Sequence, residues 1–233
     1  MNKLNNYQEK RFIRNKLFSK IINTFLKFLT LLHYRKSFKI RASWENKTFN
    51  EQERMRFIHE KPMDSLLIKE IVYRSQSKKD KILCLGCNFG RLLDALHKEG
   101  FTNLYGVDIN KESGKYVHQY FPEMAKSAHL TYCSFEKYLP AIENNFFDIV
   151  FTHGTTINHV HPLFNIVKHI TRVTSKYMIW ANACWNSDSY PRFWEYEFEN
   201  MGFMMVKFLR PLMNEAQIDI KKKTTALIVF SKI

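Results

Sequence analysis

The chain has 233 residues, 45% of them hydrophobic and 15% aromatic, enough to fill one core of ordinary size and too apolar for a disordered chain. Its formal charge of +14 is uneven: residues 1–41 hold eleven Lys and Arg against Glu9 alone, so +10 of the excess lies there. Cys84, Cys87, Cys133 and Cys184 lie in or beside apolar strand-like runs with no secretory signal ahead of them, which argues against a disulfide framework and makes the cytoplasm the expected compartment.

From Arg11 to Leu32 the residues Phe12, Leu17, Ile21, Phe25, Phe28 and Leu32 belong to an apolar set recurring at helical spacing, with Lys and Asn between them. Lys20, Asn23 and Lys27 interrupt it too often for a transmembrane span, which needs about 20 apolar residues. The pattern predicts an amphipathic helix, and its basic face suits an anionic membrane surface. Packing on the domain or in a homodimer is the other reading, and the charge alone would also suit nucleic acid or an acidic carrier. Arg41–Glu60 is polar, with Trp44, Phe49, Met55 and Phe57 as anchors, and reads as a linker pinned by surface aromatics. Pro62–Tyr73 then predicts a helix with Pro62 in its first turn.

The next stretch, Lys81–Asn110, is the one around which the chain is organised. Lys81-Ile-Leu-Cys-Leu-Gly86 has the length and character of a buried strand, and Gly86 to Gly90 supplies small or left-handed-tolerant positions for a tight turn. Leu92, Leu93 and Leu96 mark an amphipathic helix that Gly100 closes. A second strand, Asn103–Val107, delivers Asp108 at its carboxyl end, eighteen residues past Gly90. Backbone N–H groups at a helix start and an acid at the next strand end outline a nucleotide site. The dinucleotide fingerprint G-x-G-x-x-G fits poorly, because Asn88 and Arg91 stand where it needs glycine.

With the spacing G-x-G-x-G, keeping Gly86 and Gly90 around Asn88, the stretch resembles the class I S-adenosylmethionine-dependent methyltransferases. Their motif is an acid, then three alternating glycines, then an acid ending the next strand. This chain departs from it twice, with Cys84 for the first acid and Asn88 for the middle glycine. Asn tolerates the left-handed region. Cys84 and Cys87 read as buried small hydrophobes, and no metal is expected.

The remaining elements follow in order. Lys111–Tyr120 predicts a helix, Ala128–Cys133 a strand, Glu136–Ile142 a short helix, Phe147–Thr152 a strand and Pro162–Thr171 a helix. Tyr177–Ala181 predicts a strand, Pro191–Met201 a helix, and Phe203–Leu209 and Thr224–Ser231 two last strands. The crossovers demand parallel strands. The resemblance implies a Rossmann-like α/β fold: a seven-stranded, mostly parallel sheet with helices on both faces and the last strand antiparallel. It divides the chain into a basic amphipathic arm (1–41), a linker or lid (42–61) with Trp44 as the lid candidate, and a methyltransferase domain (62–233).

In such a sheet ligands lie outside the carboxyl ends of the strands. By the resemblance, Gly86, Cys87, Asn88 and Gly90 hold the methionine part of S-adenosylmethionine, Asp108 and Ile109 the ribose and adenine, and Ser134 and Phe135 the adenine. Ser134 also suits a helix cap. His153 and Gly154 pass beneath the sulfonium. His153, His159 and His161 fall within nine residues. His159 is the first choice of general base for an attacking hydroxyl and His153 the second; each also reads as a packing residue. Trp180, Trp185, Tyr190, Phe193, Trp194 and Tyr196 offer an acceptor wall, with part of the set at core spacing. No D/N-P-P-aromatic signature follows the fourth strand, which weighs against methylation of nucleobase amines. The expected activity is O-methylation of a small molecule or glycan near a membrane. The alternatives are an RNA methyltransferase and a non-catalytic membrane-associated scaffold with a degenerate cofactor pocket.

Overall fold

The computed structural model describes residues 20, 21, 24, 25, 28, 41–154, 156–161, 163–181, 194–209 and 226–233. Most of the helix predicted over 11–32 lies outside them, as do Cys184, Trp185, Tyr190 and Phe193. Residues 20, 21, 24, 25 and 28 have helical backbone, and Ile21, Phe25 and Phe28, spaced along one face, are each more than half exposed. No helix among the described residues is long and apolar enough to cross a membrane.

A seven-stranded sheet organises the rest. Its strands are β1 (Ile82–Leu85), β2 (Leu104–Asp108), β3 (His129–Tyr132), β4 (Phe147–His153), β5 (Thr174–Ala181), β6 (Phe203–Leu209) and β7 (Leu227–Lys232), in the spatial order β3-β2-β1-β4-β5-β7-β6. β1 to β5 pair in parallel, while β7 runs antiparallel between β5 and β6. This is the expected Rossmann-like sheet. Eight helices accompany it: α1 (Glu51–Ile58), α2 (Pro62–Arg74), α3 (Arg91–Lys98), α4 (Glu112–Tyr120), α5 (Pro122–Ser127), α6 (Phe135–Tyr138), α7 (Ile166–Val173) and α8 (Trp194–Glu199), counted over the stretch from residue 51 onward among the described residues.

β1 is the hinge of the packing because all four of its residues are buried. Ile82 and Cys84 point into a core shared with Leu67 and Ile71 of α2 and Leu93 and Leu96 of α3. Leu83 and Leu85 point the other way, toward Ile166, Val167 and Ile170 of α7 and Phe198 of α8. Each such aliphatic contributes about 1.5–3 kcal/mol on burial. The strand alternation therefore fixes helices on both faces and leaves the carboxyl ends of β1, β2 and β4 for a ligand.

Several boundaries differ from the sequence expectations. The polar stretch 41–60 contains a helix, α1, capped by Asn50, whose Oδ1 accepts from Glu53 N at 2.9 Å while Glu53 Oε2 accepts from Asn50 N at 3.2 Å. α5 follows α4 after Phe121, a residue that Pro122 keeps out of the helical region. α7 starts at Ile166, four residues beyond the predicted Pro162, because Asn165 caps it by accepting from Lys168 N at 3.1 Å. β5 begins at Thr174 with no intervening loop.

Candidate active site

The loop after β1 is built on alternating left-handed residues, with φ of 75° at Gly86, 47° at Asn88 and 87° at Gly90. The turn folds Gly86 N and Cys87 N onto Val107 O, at 2.8 and 3.2 Å, and so ties the ends of β1 and β2 together. A side chain on Gly86 would collide with Thr156. Gly90 does not line the cavity below. It starts α3, and a Cβ there would come within 2.6 Å of Met124 Cε.

Asp108 ends β2 with both oxygens engaged by backbone: Asn88 N donates to Oδ2 and Asn110 N to Oδ1, each at 2.9 Å. Burial raises its pKa above the ordinary carboxylate value, against the three backbone donors of Asn110, Asn88 and Ile109. Each oxygen keeps a further lone pair, so the carboxylate can accept from a pair of vicinal hydroxyls without releasing the loop.

A cavity of about 640 Å³ opens at the strand ends. Gly86, Cys87, Asn88, Asp108 and Ile109 line it, with Ser134 and Phe135 beyond β3 and His153, Gly154 and His159 at and beyond the end of β4. Apart from Gly90, every candidate cofactor or catalytic residue of the sequence analysis is thus brought to one cavity. Ser134 takes the cap position of α6, yet its side chain makes no cap hydrogen bond. His161 also lines the cavity, and its Nδ1 accepts from Leu163 N at 3.2 Å.

The aromatic set after β5 behaves differently. Trp180 and Trp194 are buried edge to face, with centroids 5.0 Å apart, and Trp180 Nε1 donates to Gly154 O at 2.8 Å. Both serve the core and neither lines the cavity.

The cover comes instead from the segment ahead of α2. Asn110 Nδ2 donates to Trp44 O and Lys47 O, both at 2.8 Å, holding that segment to the loop after β2. Trp44 lines the cavity and stacks on His159 with centroids 6.5 Å apart. Phe49 is buried against Phe57 and Phe89.

Sequence reasoning missed a charged cluster. Asp64 of α2, only 3% exposed, accepts from Lys61 N at 2.6 Å, pairs with the Arg91 guanidinium, and faces His153 Nε2 at 3.3 Å. Arg91 Nε donates to Phe57 O at 3.0 Å. Burial, then Lys61 and Arg91, push His153 down to about 3, and the Asp64 carboxylate beside it is engaged by Arg91. His153 is therefore neutral at ordinary pH. Burial also pushes both Cys84 and Cys87 thiols upward, so position 84 carries no charge. No group of three His, Cys, Asp or Glu among the described residues could hold a metal ion.

A family model described as a methyltransferase domain matches residues 82–176, from β1 into β5. Residues 82–176 therefore carry a methyltransferase domain, and the Rossmann-like sheet continues past them to β7. Magnesium protoporphyrin IX methyltransferase from Synechocystis, solved with S-adenosylmethionine bound, is similar with a TM-score of 0.62 at 12% identity, over 85% of this chain and 97% of that one. A SAM-dependent methyltransferase from Aquifex aeolicus is similar at 0.58 and 15% identity, over 80% of this chain and 100% of that one. A TehB-like SAM-dependent methyltransferase from Corynebacterium glutamicum reaches 0.54 and 18%, over 73% and 87%. At these identities the likeness speaks for the fold. No curated protein matches the chain in sequence. The chain has a formed cavity and a half-buried acid at the end of β2, which fit an adenosyl cofactor despite Cys84 and Asn88.

Proposed function

We propose that this S-adenosylmethionine-dependent methyltransferase methylates a hydroxyl of a small molecule or glycan, and that it works in the cytoplasm with residues 1–41 on an anionic membrane surface. The observation that carries the cofactor half is Asp108, held at the cavity by two backbone donors with lone pairs to spare. Gly86 to Asn88 would face the methionine part, Asp108 and Ile109 the ribose, and Ser134 and Phe135 the adenine. The bound cofactor supplies a sulfonium methyl group for in-line displacement. A ring nitrogen of His159 would take the hydroxyl proton of the acceptor as its oxygen displaces the thioether.

Holding the acceptor in line contributes about 7–11 kcal/mol, and a base about 10²–10⁴-fold. His159 suits the base role better than His153, whose low pKa makes it a weak base and whose Nε2 faces Asp64. The segment 42–61 serves as the lid, with Trp44 against His159. The membrane part is supported by the +10 excess of residues 1–41 and by the exposed stripe Ile21, Phe25 and Phe28.

Two measurements test the proposal. Calorimetric titration with S-adenosylmethionine and S-adenosylhomocysteine should show micromolar binding that Asp108→Ala abolishes; no heat from folded protein would overturn the cofactor half. Flotation with anionic liposomes should depend on residues 1–41. Unchanged flotation after their removal would overturn the membrane half, and steeply salt-dependent RNA binding by the arm would favour an RNA acceptor instead.

A further inference from the structure

The lining of the cavity extends beyond the residues assigned to the cofactor. A second set, Trp44, His159, Val160, His161, Leu163 and Phe164, comes from the stretch between β4 and α7 and from the segment ahead of α1. Trp44 lies against His159 with the two ring planes 24° apart. Val160 is buried and Leu163 exposed, so the set runs from the interior to the surface. Phe164 N donates to His161 O at 3.0 Å and Leu163 N to His161 Nδ1 at 3.2 Å, which fixes the chain before α7. Phe164 stacks on His169 of α7 with centroids 4.7 Å and planes 6° apart, so its ring is oriented before any ligand arrives.

Polar groups in this part are few and mostly engaged. Glu136 pairs with Arg41 at 3.6 Å, and Thr156 Oγ1 donates to His153 O at 3.3 Å. Lys61 and Arg91, the other cations of the lining, act on His153. Among the described residues between β4 and α7, no Asp, Asn or Gln lines the cavity; Asn158 is buried outside it. A sugar carries hydroxyls all round its ring, and each needs a partner when it leaves water. Two imidazoles and an ion pair meet few of them. A flat hydrocarbon ring needs only the apolar and aromatic surface that Trp44, Val160, Leu163 and Phe164 provide.

Proton affinity favours the same acceptor. An ordinary imidazole titrates at about 6.5 and a phenol at about 10, whereas an aliphatic alcohol lies close to water, at about 15.7. An imidazole base therefore helps a phenol far more than a sugar hydroxyl. Resting on the cofactor and hydroxyl reading above, we propose that the acceptor is a phenolic hydroxyl on a flat aromatic ring system, which lies against Trp44 and Phe164 with its oxygen toward His159. His159 takes the phenol proton as the oxygen bonds to the methyl carbon and the thioether departs with the electron pair. Trp44 and Phe164 are then the residues that set the choice of acceptor.

The test uses the full chain, labelled S-adenosylmethionine and four acceptors: naphthol, naphthalenemethanol, decahydronaphthol and methyl glucoside. Naphthol should be methylated with a kcat/KM at least about a hundredfold above decahydronaphthol, and methyl glucoside should take no label. Naphthalenemethanol, with the ring but an alcohol hydroxyl, should compete with naphthol at a Ki within about threefold of the naphthol KM. Trp44→Leu and Phe164→Leu should each raise the naphthol KM about tenfold with kcat within about threefold, and Trp44→Phe should recover most of that loss. Unchanged KM in both leucine variants would overturn the inference, as would an equal loss for naphthol and decahydronaphthol, which marks a structural role. Methylation of methyl glucoside or decahydronaphthol as fast as naphthol would overturn it and leave the hydroxyl reading standing. If S-adenosylmethionine binds and none of the four takes label, the hydroxyl reading fails with it; if S-adenosylmethionine does not bind, the cofactor reading itself fails.

Discussion

Asn88 N donates to Asp108 Oδ2 at 2.9 Å, so the loop after β1 and the acid after β2 are one unit. The bond needs the left-handed backbone of Asn88, at φ 47°, to aim the N–H at the neighbouring strand end. Asp108→Asn should therefore reduce S-adenosylhomocysteine affinity in two ways: it removes the charge that strengthens the ribose hydrogen bonds and puts an amide where backbone donors point. A charge-assisted hydrogen bond contributes about 1.5–3 kcal/mol, so a loss of at least about tenfold is expected in a calorimetric titration. Unchanged affinity would remove Asp108 from the site.

Gly86→Ala should destabilise the fold itself. The position has φ +75°, and its Cβ would press on Thr156 Cγ2 and sit 2.9 Å from Oγ1. Left-handed strain alone costs about 1–3 kcal/mol. Thermal unfolding of Gly86→Ala and of Gly86→Ala with Thr156→Ala should show a fall in Tm that the second change partly recovers. Full recovery would mean that the backbone conformation matters less than the contact.

The buried imidazole of His153 makes stability depend on acid. An unfolded imidazole titrates near 6.5, and the folded one resists protonation down to about 3. Between those values the unfolded chain binds the extra proton, so stability present above pH 6.5 is lost as pH falls, by at most about 1.4 kcal/mol per pH unit. His153→Gln should flatten denaturant-derived stability between pH 6 and pH 4 by up to that slope, relative to the parent. Parallel pH profiles for the two proteins would contradict the burial argument.

Asn110 is 1% exposed and holds the segment ahead of α1 through two side-chain N–H donations to Trp44 O and Lys47 O. Asn110→Ala leaves both carbonyls seeking new partners. Ligand dissociation should quicken, on the order of tenfold for about 1.4 kcal/mol of lost holding energy, and proteolysis within residues 41–50 should accelerate. Equal dissociation rates would make the segment a bystander.

The parts legible in the sequence were those written in one continuous stretch. Ile82–Leu85, the glycine turn, α3 and Asp108 lie within thirty residues, and their local chemistry already demands a strand, a turn and a helix around a ligand. α1 was not legible as a helix from hydrophobic periodicity because none of its residues is buried; only its capping pair, Asn50 and Glu53, marks it. The cluster of Lys61, Asp64, Arg91 and His153 was hidden for another reason. Its members come from three separate segments, and only the packing of α2 beside α3 and β4 brings them together. Trp180 misled because strand parity, which sends it into the core with Met178, outranks its aromatic suitability for a ligand wall.

β7 is the last strand of the sheet in the chain, yet it lies between β5 and β6. A chain synthesised only as far as residue 226 already holds the residues of β1 to β6, but the row of backbone donors and acceptors on β5 still waits for Leu227–Ala181 and Ser231–Tyr177 to pair. During that interval two apolar strand flanks stand uncovered, and an emerging chain in this state is a natural client for a chaperone. Completion of the sheet is thus timed by the synthesis of Leu227–Lys232, long after the loop that follows β1 has been made.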